Sequence, residues 1–165
     1  FTRFARSYID GIRIVTPNTY GIPPGQEPGD SKDGSQQVFL LMASPNGGVS
    51  ECEGANFMFV KNGRIKLPDR RNVLPGVSMQ TVLELADSLN FPVDEGTYTQ
   101  RDIYAADEAF VSSTRYCILP VATLNGLPVG EGIPGKATTA LLESWSAAVG
   151  IDFVNQALSH LPPAE

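Results

Sequence analysis

The chain has 165 residues, enough for one compact domain, and 42% of them are apolar, which excludes a disordered polymer and supports a packed core. Twelve Lys and Arg against eighteen Asp and Glu leave a net charge of −6, and the basic residues are scattered singly apart from Arg70-Arg71. Without a basic stripe, nucleic acid is not the expected partner. No apolar run is long enough to cross a bilayer, and the chain opens at Phe1 without a charged-then-apolar leader, so a cytoplasmic location and no membrane partner are expected. Cys52 and Cys117 lack the spacing of a metal or redox site and read as reduced, buried thiols. His160, the lone histidine, has no carboxylate or nucleophile at local spacing, which leaves hydrolase chemistry without its usual base.

In chain order, Gly11-Ile-Arg-Ile-Val-Thr16 predicts a strand that Pro17 ends. Pro17 to Ser35 is rich in Pro, Gly and Asp and carries no apolar pattern, an unusual length of loop for a compact domain. Val38 to Met42 predicts a buried strand, and Phe57 to Val60, Lys61-Asn-Gly63 and Arg64 to Leu67 predict strand, tight turn and strand. Val82, Leu85, Ala86 and Leu89 share one helical face, which predicts a helix over Ser78–Ser88 with Ser78 as its cap. Phe91 to Val93 and Glu95 to Thr99 suggest a further strand, and Asp102 to Ala106 a helical turn. Glu108 to Ser112 and Ile118 to Val121 read as strands, Asn125-Gly126 as a hairpin turn, and Thr138 to Val149 as a closing amphipathic helix.

Two places have the chemistry of an anion site. Leu74-Pro-Gly-Val-Ser78 delivers a hydroxyl and backbone N–H groups to a helix start, and Ser112-Ser-Thr114 sets three hydroxyls at a strand end. Each is also compatible with an ordinary cap or loop. Glu51 and Glu53, flanking Cys52, fit either tuned acids or solvated edge residues.

Taken together, Val49-Ser-Glu-Cys-Glu-Gly-Ala-Asn-Phe57, Leu74-Pro-Gly-Val-Ser78, Ala105-Ala-Asp-Glu-Ala-Phe110, Ser112-Ser-Thr114, Leu119-Pro-Val121 and Gly130-Glu-Gly-Ile-Pro-Gly135 resemble class IV aminotransferases in order and spacing. That family includes branched-chain and D-amino acid aminotransferases and aminodeoxychorismate lyase, and the resemblance runs from about Val38 to Phe153. It implies pyridoxal 5′-phosphate as cofactor, an amino acid and a 2-oxo acid as substrates, and a homodimer. By resemblance Glu51 faces the pyridine nitrogen, where a buried carboxylate keeps that nitrogen protonated. Leu74 packs on the ring, Val77 and Ser78 serve the phosphate, and Ser113 and Thr114 supply the other phosphate contact. Thr114 and Arg115 line the substrate side, with Arg115 bulkier than the usual small residue, and Asn56 is structural.

The fold implied by the element pattern and by the resemblance is α/β: a mixed, barrel-like sheet with outer helices, like the larger C-terminal domain of D-amino acid aminotransferase. Residues 1–35 are expected to be a remnant strand and connector, 36–155 the cofactor-binding domain and 156–165 a tail. The family's cofactor-bearing lysine lies upstream of Glu51 at the head of a helix, and no such helix is legible in this sequence. Lys32, in Asp30-Ser-Lys-Asp-Gly34, is the one candidate, since Lys61 and Lys66 belong to a hairpin and Lys136 follows Gly135. Three functions stay open: a transaminase whose lysine segment lies outside this sequence, a non-catalytic binding or assembly module, and a lyase using the same cofactor.

Overall fold

The computed structural model describes residues 2–17, 29–30 and 36–161. The strands are β1 (Ile12–Val15), β2 (Gly29–Asp30), β3 (Gln37–Ala43), β4 (Val49–Cys52), β5 (Asn56–Lys61), β6 (Arg64–Pro68), β7 (Val93–Gly96), β8 (Glu108–Ser113), β9 (Cys117–Leu124) and β10 (Leu127–Pro128). The helices are α1 (Ser7–Asp10), α2 (Val77–Ser88), α3 (Gln100–Tyr104), α4 (Lys136–Val149) and α5 (Phe153–Leu158).

The strands form one mixed α/β sheet in the order β2-β3-β1-β9-β8-β5-β6-β7, with β4 added to β3 and β10 to β9, curled into a half-barrel. β1 runs parallel to both β3 and β9, and β6 runs parallel to β7. The β5–β6, β5–β8 and β8–β9 pairs are antiparallel. Antiparallel neighbours need only tight turns, and the sequence supplies them: Asn62 and Gly63 both take positive φ between β5 and β6, as Asn125 and Gly126 do after β9. The core is built from β-branched and aromatic residues on both faces of the sheet, Phe57 and Phe59 on one face of the β5–β8 ladder and Phe110 and Ile118 on the other, with Ile12 and Ile14 buried on β1. α2 packs on β8, α4 lies on β8 and β9 as well as on α2, and α5 is tucked against α4 and the N-terminal turn.

The predicted strands and the two longer helices are present, with adjusted ends. The strand expected near Glu95 to Thr99 is β7, Val93–Gly96, and the turn predicted from Asp102 is α3, which Thr99 opens through a capping box with Asp102. Two short elements, α1 and α5, were not anticipated.

Ser78 does not cap α2. The helix begins one residue earlier, at Val77, and its N-cap is Gly76, which makes no side-chain cap bond. Ser78 is the second helical residue, and its side chain is turned into the protein. Pro17 to Ser35 and Lys32 with it lie largely outside the described residues.

Candidate functional site

A tight reversal places the first functional side chain. Cys52 and Ala55 exchange both backbone hydrogen bonds, at 2.9 and 3.1 Å, across a two-residue turn in which Gly54 adopts φ +74°. Glu51 and Asn56, one step outside this bridge, are thereby brought together. Asn56 Nδ2 donates to Glu51 Oε2 at 3.1 Å and to the Leu74 carbonyl at 2.8 Å, and the Leu74 N–H donates to the same Glu51 oxygen at 2.9 Å. One carboxylate oxygen therefore takes two donors, the Leu74 N–H from the turn that leads into α2 and the Asn56 amide from β5. Glu53 projects from the exposed turn to the rim.

β8 brings the second group. Asn56 stands opposite Ser112 in the β5–β8 register, so the two side chains share a sheet face. Ser112 is 1% exposed, and its hydroxyl has no hydrogen-bond partner among the described residues. The chain then turns outward at Thr114 and Arg115, both exposed.

These strings converge on one cavity of about 470 Å³, lined by Glu51, Asn56, Leu74, Val77 and Ser78 together with Ser112, Ser113 and Thr114. That size suits a small organic ligand. The cavity has two chemically distinct ends. One is a carboxylate. At the other, α2 opens with first-turn N–H groups that have no intrahelical acceptor, beside the Ser78 and Thr114 hydroxyls. Leu74 and Val77 are 67% and 75% exposed, an apolar rim with nothing packed on it among the described residues. Burial and then the neighbouring Glu51 charge push the Cys52 thiol far above its ordinary range, so it is an inert wall of the site.

Of the residues singled out in the sequence, Glu51, Leu74, Val77, Ser78, Ser113 and Thr114 meet at this cavity, whereas Arg115 does not line it. His160 lies past α5, away from it. No described lysine lines it either: Lys61 pairs with Asp107 at 2.8 Å, Lys66 pairs with Asp94, and Lys136 opens α4. Sequence reasoning placed Ser112 among the strand-end hydroxyls, and it does line the cavity, but it missed the burial of that hydroxyl and the bridging role of Asn56. The Glu-Gly turn three residues before Asn56 was the available signal. A wider cleft of about 510 Å³ between α4 and the segment entering α5 contains none of these residues.

The residues fit pyridoxal 5′-phosphate. The free first-turn N–H groups and hydroxyls suit a phosphate, the carboxylate suits a protonated ring nitrogen, and the orphaned Ser112 hydroxyl is a buried donor awaiting an acceptor.

A curled mixed sheet with outer helices is the architecture of fold-type IV aminotransferases. The chain belongs to the class IV amino-transferase family, which it matches over residues 32–124, more than half of its length. It is 32% identical over 105 residues to a branched-chain-amino-acid aminotransferase of Pseudomonas aeruginosa, covering 64% of this chain and 34% of that protein. Among solved structures it resembles the branched-chain amino acid aminotransferase of Escherichia coli, with a TM-score of 0.69 and 27% identity over 87% of this chain and 53% of that one. It also resembles 4-amino-4-deoxychorismate lyase of Pseudomonas aeruginosa, with a TM-score of 0.62 and 26% identity over 70% and 41% of the two chains. The chain thus spans about a third of the length of the curated relatives it matches. No helix among the described residues is long and apolar enough to cross a membrane.

Proposed function

We propose that this chain supplies the cofactor-holding part of a pyridoxal-phosphate-dependent aminotransferase that moves an amino group between an amino acid and a 2-oxo acid. The observation that carries the reading is the convergence of Glu51, the Leu74–Ser78 turn and Ser113-Thr114 on one cavity. When bound, the cofactor supplies an electron-withdrawing ring that delocalises charge developing at the substrate α-carbon. Glu51 holds a proton on the ring nitrogen, and its fixed orientation keeps that proton in place. The start of α2, with Ser78 and Thr114, neutralises the phosphate through N–H and O–H donors. Leu74 and Val77 cover an apolar face and exclude water from it, and Thr114 borders the substrate side, with Arg115 next in the chain and outside the cavity lining. A homodimer in the cytoplasm accompanies this reading.

A second reading is a pocket that binds the cofactor without turning it over. It is favoured by the pairing of Lys61 and Lys66 with aspartates and by the lack of any described lysine in the cavity lining. A lyase reaction on an amino-substituted ring acid shares the same site chemistry, in keeping with the likeness to the lyase structure.

Titration with pyridoxal 5′-phosphate, followed by the ligand's absorption and by competition with inorganic phosphate, tests binding. Borohydride reduction and peptide mapping then separate the readings. Saturable binding with a label on Lys32 supports an enzyme whose lysine lies in this chain. Saturable binding without a label excludes Lys32 and is shared by the non-catalytic pocket and by a transaminase whose lysine lies outside this sequence, which an assay of the whole protein for amino-group transfer then separates. No binding overturns both.

A further inference from the structure

We infer that Asn56 is the positioning residue of this site, one buried amide that sets both the orientation of Glu51 and the placement of the anion-binding turn. The inference rests on the function proposed above.

Asn56 is 5% exposed and lies at the first position of β5, held by the β5–β8 ladder. Both groups facing its Nδ2 are acceptors, a carboxylate oxygen and a carbonyl, so the amide nitrogen must point at them. Its other end is fixed by packing, because Oδ1 lies against Gly76 so closely that a Cβ there would collide with it. One planar group therefore touches Glu51, Leu74 and Gly76, residues that belong to the two chemically opposite ends of the cavity. The Leu74 N–H closes the loop by donating to Glu51 at 2.9 Å.

The consequence lies in how Glu51 is used. Oε2 is occupied by the Asn56 and Leu74 donors, whereas Oε1 accepts no hydrogen bond from the described residues and remains for a ligand. Removing the amide leaves Oε2 with the Leu74 donor alone, so the carboxylate is less tightly oriented, and it unties β5 from the Leu74 carbonyl and so from the turn that leads to Val77 and Ser78. Preorganised orientation of this kind is what a second layer of hydrogen bonds provides to binding groups.

The test compares wild type with Asn56→Ala, Asn56→Asp, Glu51→Ala and the Asn56→Ala/Glu51→Ala double variant of this same chain. Without ligand, the Leu74 amide is the reporter: its residue is largely exposed, so protection from hydrogen exchange comes from the bond to Glu51. Asn56→Ala is expected to speed Leu74 exchange about tenfold beyond any change in global unfolding. With pyridoxal 5′-phosphate as the probe, Asn56→Ala is expected to weaken binding about tenfold, and the double variant no more than the weaker-binding single. Asn56→Asp sets a second carboxylate beside Glu51, so a shared proton restores affinity as pH falls, by a larger ratio than wild type shows between about pH 8 and pH 5. Leu74 exchange unchanged in Asn56→Ala, or additive losses in the double variant, overturns the assignment. A wild-type chain that binds no pyridoxal 5′-phosphate overturns the proposed function instead, and the Leu74 exchange rates then decide the role of Asn56 alone.

Discussion

Replacing Gly76 with alanine separates a steric requirement from a conformational one. Gly76 has φ −69° and ψ 139°, a region open to any residue, so alanine there brings no backbone strain. The cost comes from space: the new Cβ would overlap the Asn56 oxygen and lie 3.3 Å from its Cγ. If Asn56 swings aside, it gives up its bonds to Leu74 and Glu51 inside the protein, at about 1–3 kcal/mol for an amide left without partners. If the start of α2 shifts instead, the packing of Met79 and Val82 is disturbed, at about 1–3 kcal/mol for an overfilled site. The cheaper route sets the cost, a loss of about 1–3 kcal/mol. At about 2–4 °C per kcal/mol for a chain of this size, the melting temperature falls by roughly 2–12 °C. Gly63→Ala is the internal control, since Gly63 has φ +69° and nothing within 4 Å, leaving only the left-handed penalty of about 1–2 kcal/mol. Thermal denaturation by circular dichroism ranks the two. Gly76→Ala melting with wild type would refute the reasoning, and Gly76→Ala combined with Asn56→Ala should lose less than the sum of the singles, whereas Gly63→Ala combined with Asn56→Ala should be additive.

Ser112→Ala removes a buried hydroxyl that has no partner among the described residues, so the ligand-free chain should melt no lower than wild type, and up to about 1–3 kcal/mol more stably, while pyridoxal 5′-phosphate binds less tightly. Equal affinity for the two proteins would remove Ser112 from the site. Glu108 accepts from the Ala137 and Thr138 N–H groups and from the Thr138 hydroxyl, at 2.8–2.9 Å, and so caps α4 from a distant strand. Glu108→Ala should cost about 2–4 kcal/mol in chemical denaturation, with Glu108→Gln retaining part of it. Asp94, held by Arg64 and Lys66, Asp102, held by Thr99, and Asp152, held by Asn155, all have carboxyls below their ordinary range. Their contribution is present above the unfolded value of 3.8 and is lost as pH falls through the lower folded values. Melting temperature should therefore drop below about pH 4, and Asp94→Asn should flatten that slope. Iodoacetamide should modify half-buried Cys117 before buried Cys52, and mass mapping of the labelled peptides reads the order.

What the sequence discloses about this fold divides by distance along the chain. The β5–β6 hairpin is legible because alternating apolar residues meet Asn62-Gly63, and α2 and α4 because their apolar residues recur at helical spacing. The parallel pairing of β1 with β3 and β9, and of Leu67 with Glu95, has no local signature, since parallel neighbours are joined by long crossovers rather than turns. Capping fails for the same reason. Ser78 had the right residue type for a local cap, yet Pro75 and Gly76 let the helix begin at Val77, which moves the hydroxyl from the helix end to the cavity wall. The cap that matters for α4 is Glu108, 29 residues from its nearest partner and readable only once β8 is placed beside that helix start.

The candidate site follows this division with one difference that bears on function. Each of its strings is recognisable alone, but none discloses that Glu51, Asn56 and the Leu74 turn form one bonded unit, because the 18 residues from Asn56 to Leu74 are closed by folding rather than by a turn. Binding groups on separate segments need such a tie. Glu51 sits on a four-residue strand at the edge of β3, and Leu74 in an exposed turn, neither of which is rigid by itself. Strand β5, buried from Asn56 to Val60 and paired on both edges by β6 and β8, is the rigid element, and Asn56 stands at its first position. The amide transmits that rigidity to both ends of the cavity, which is why a polar residue occupies the start of the most buried strand in the sheet.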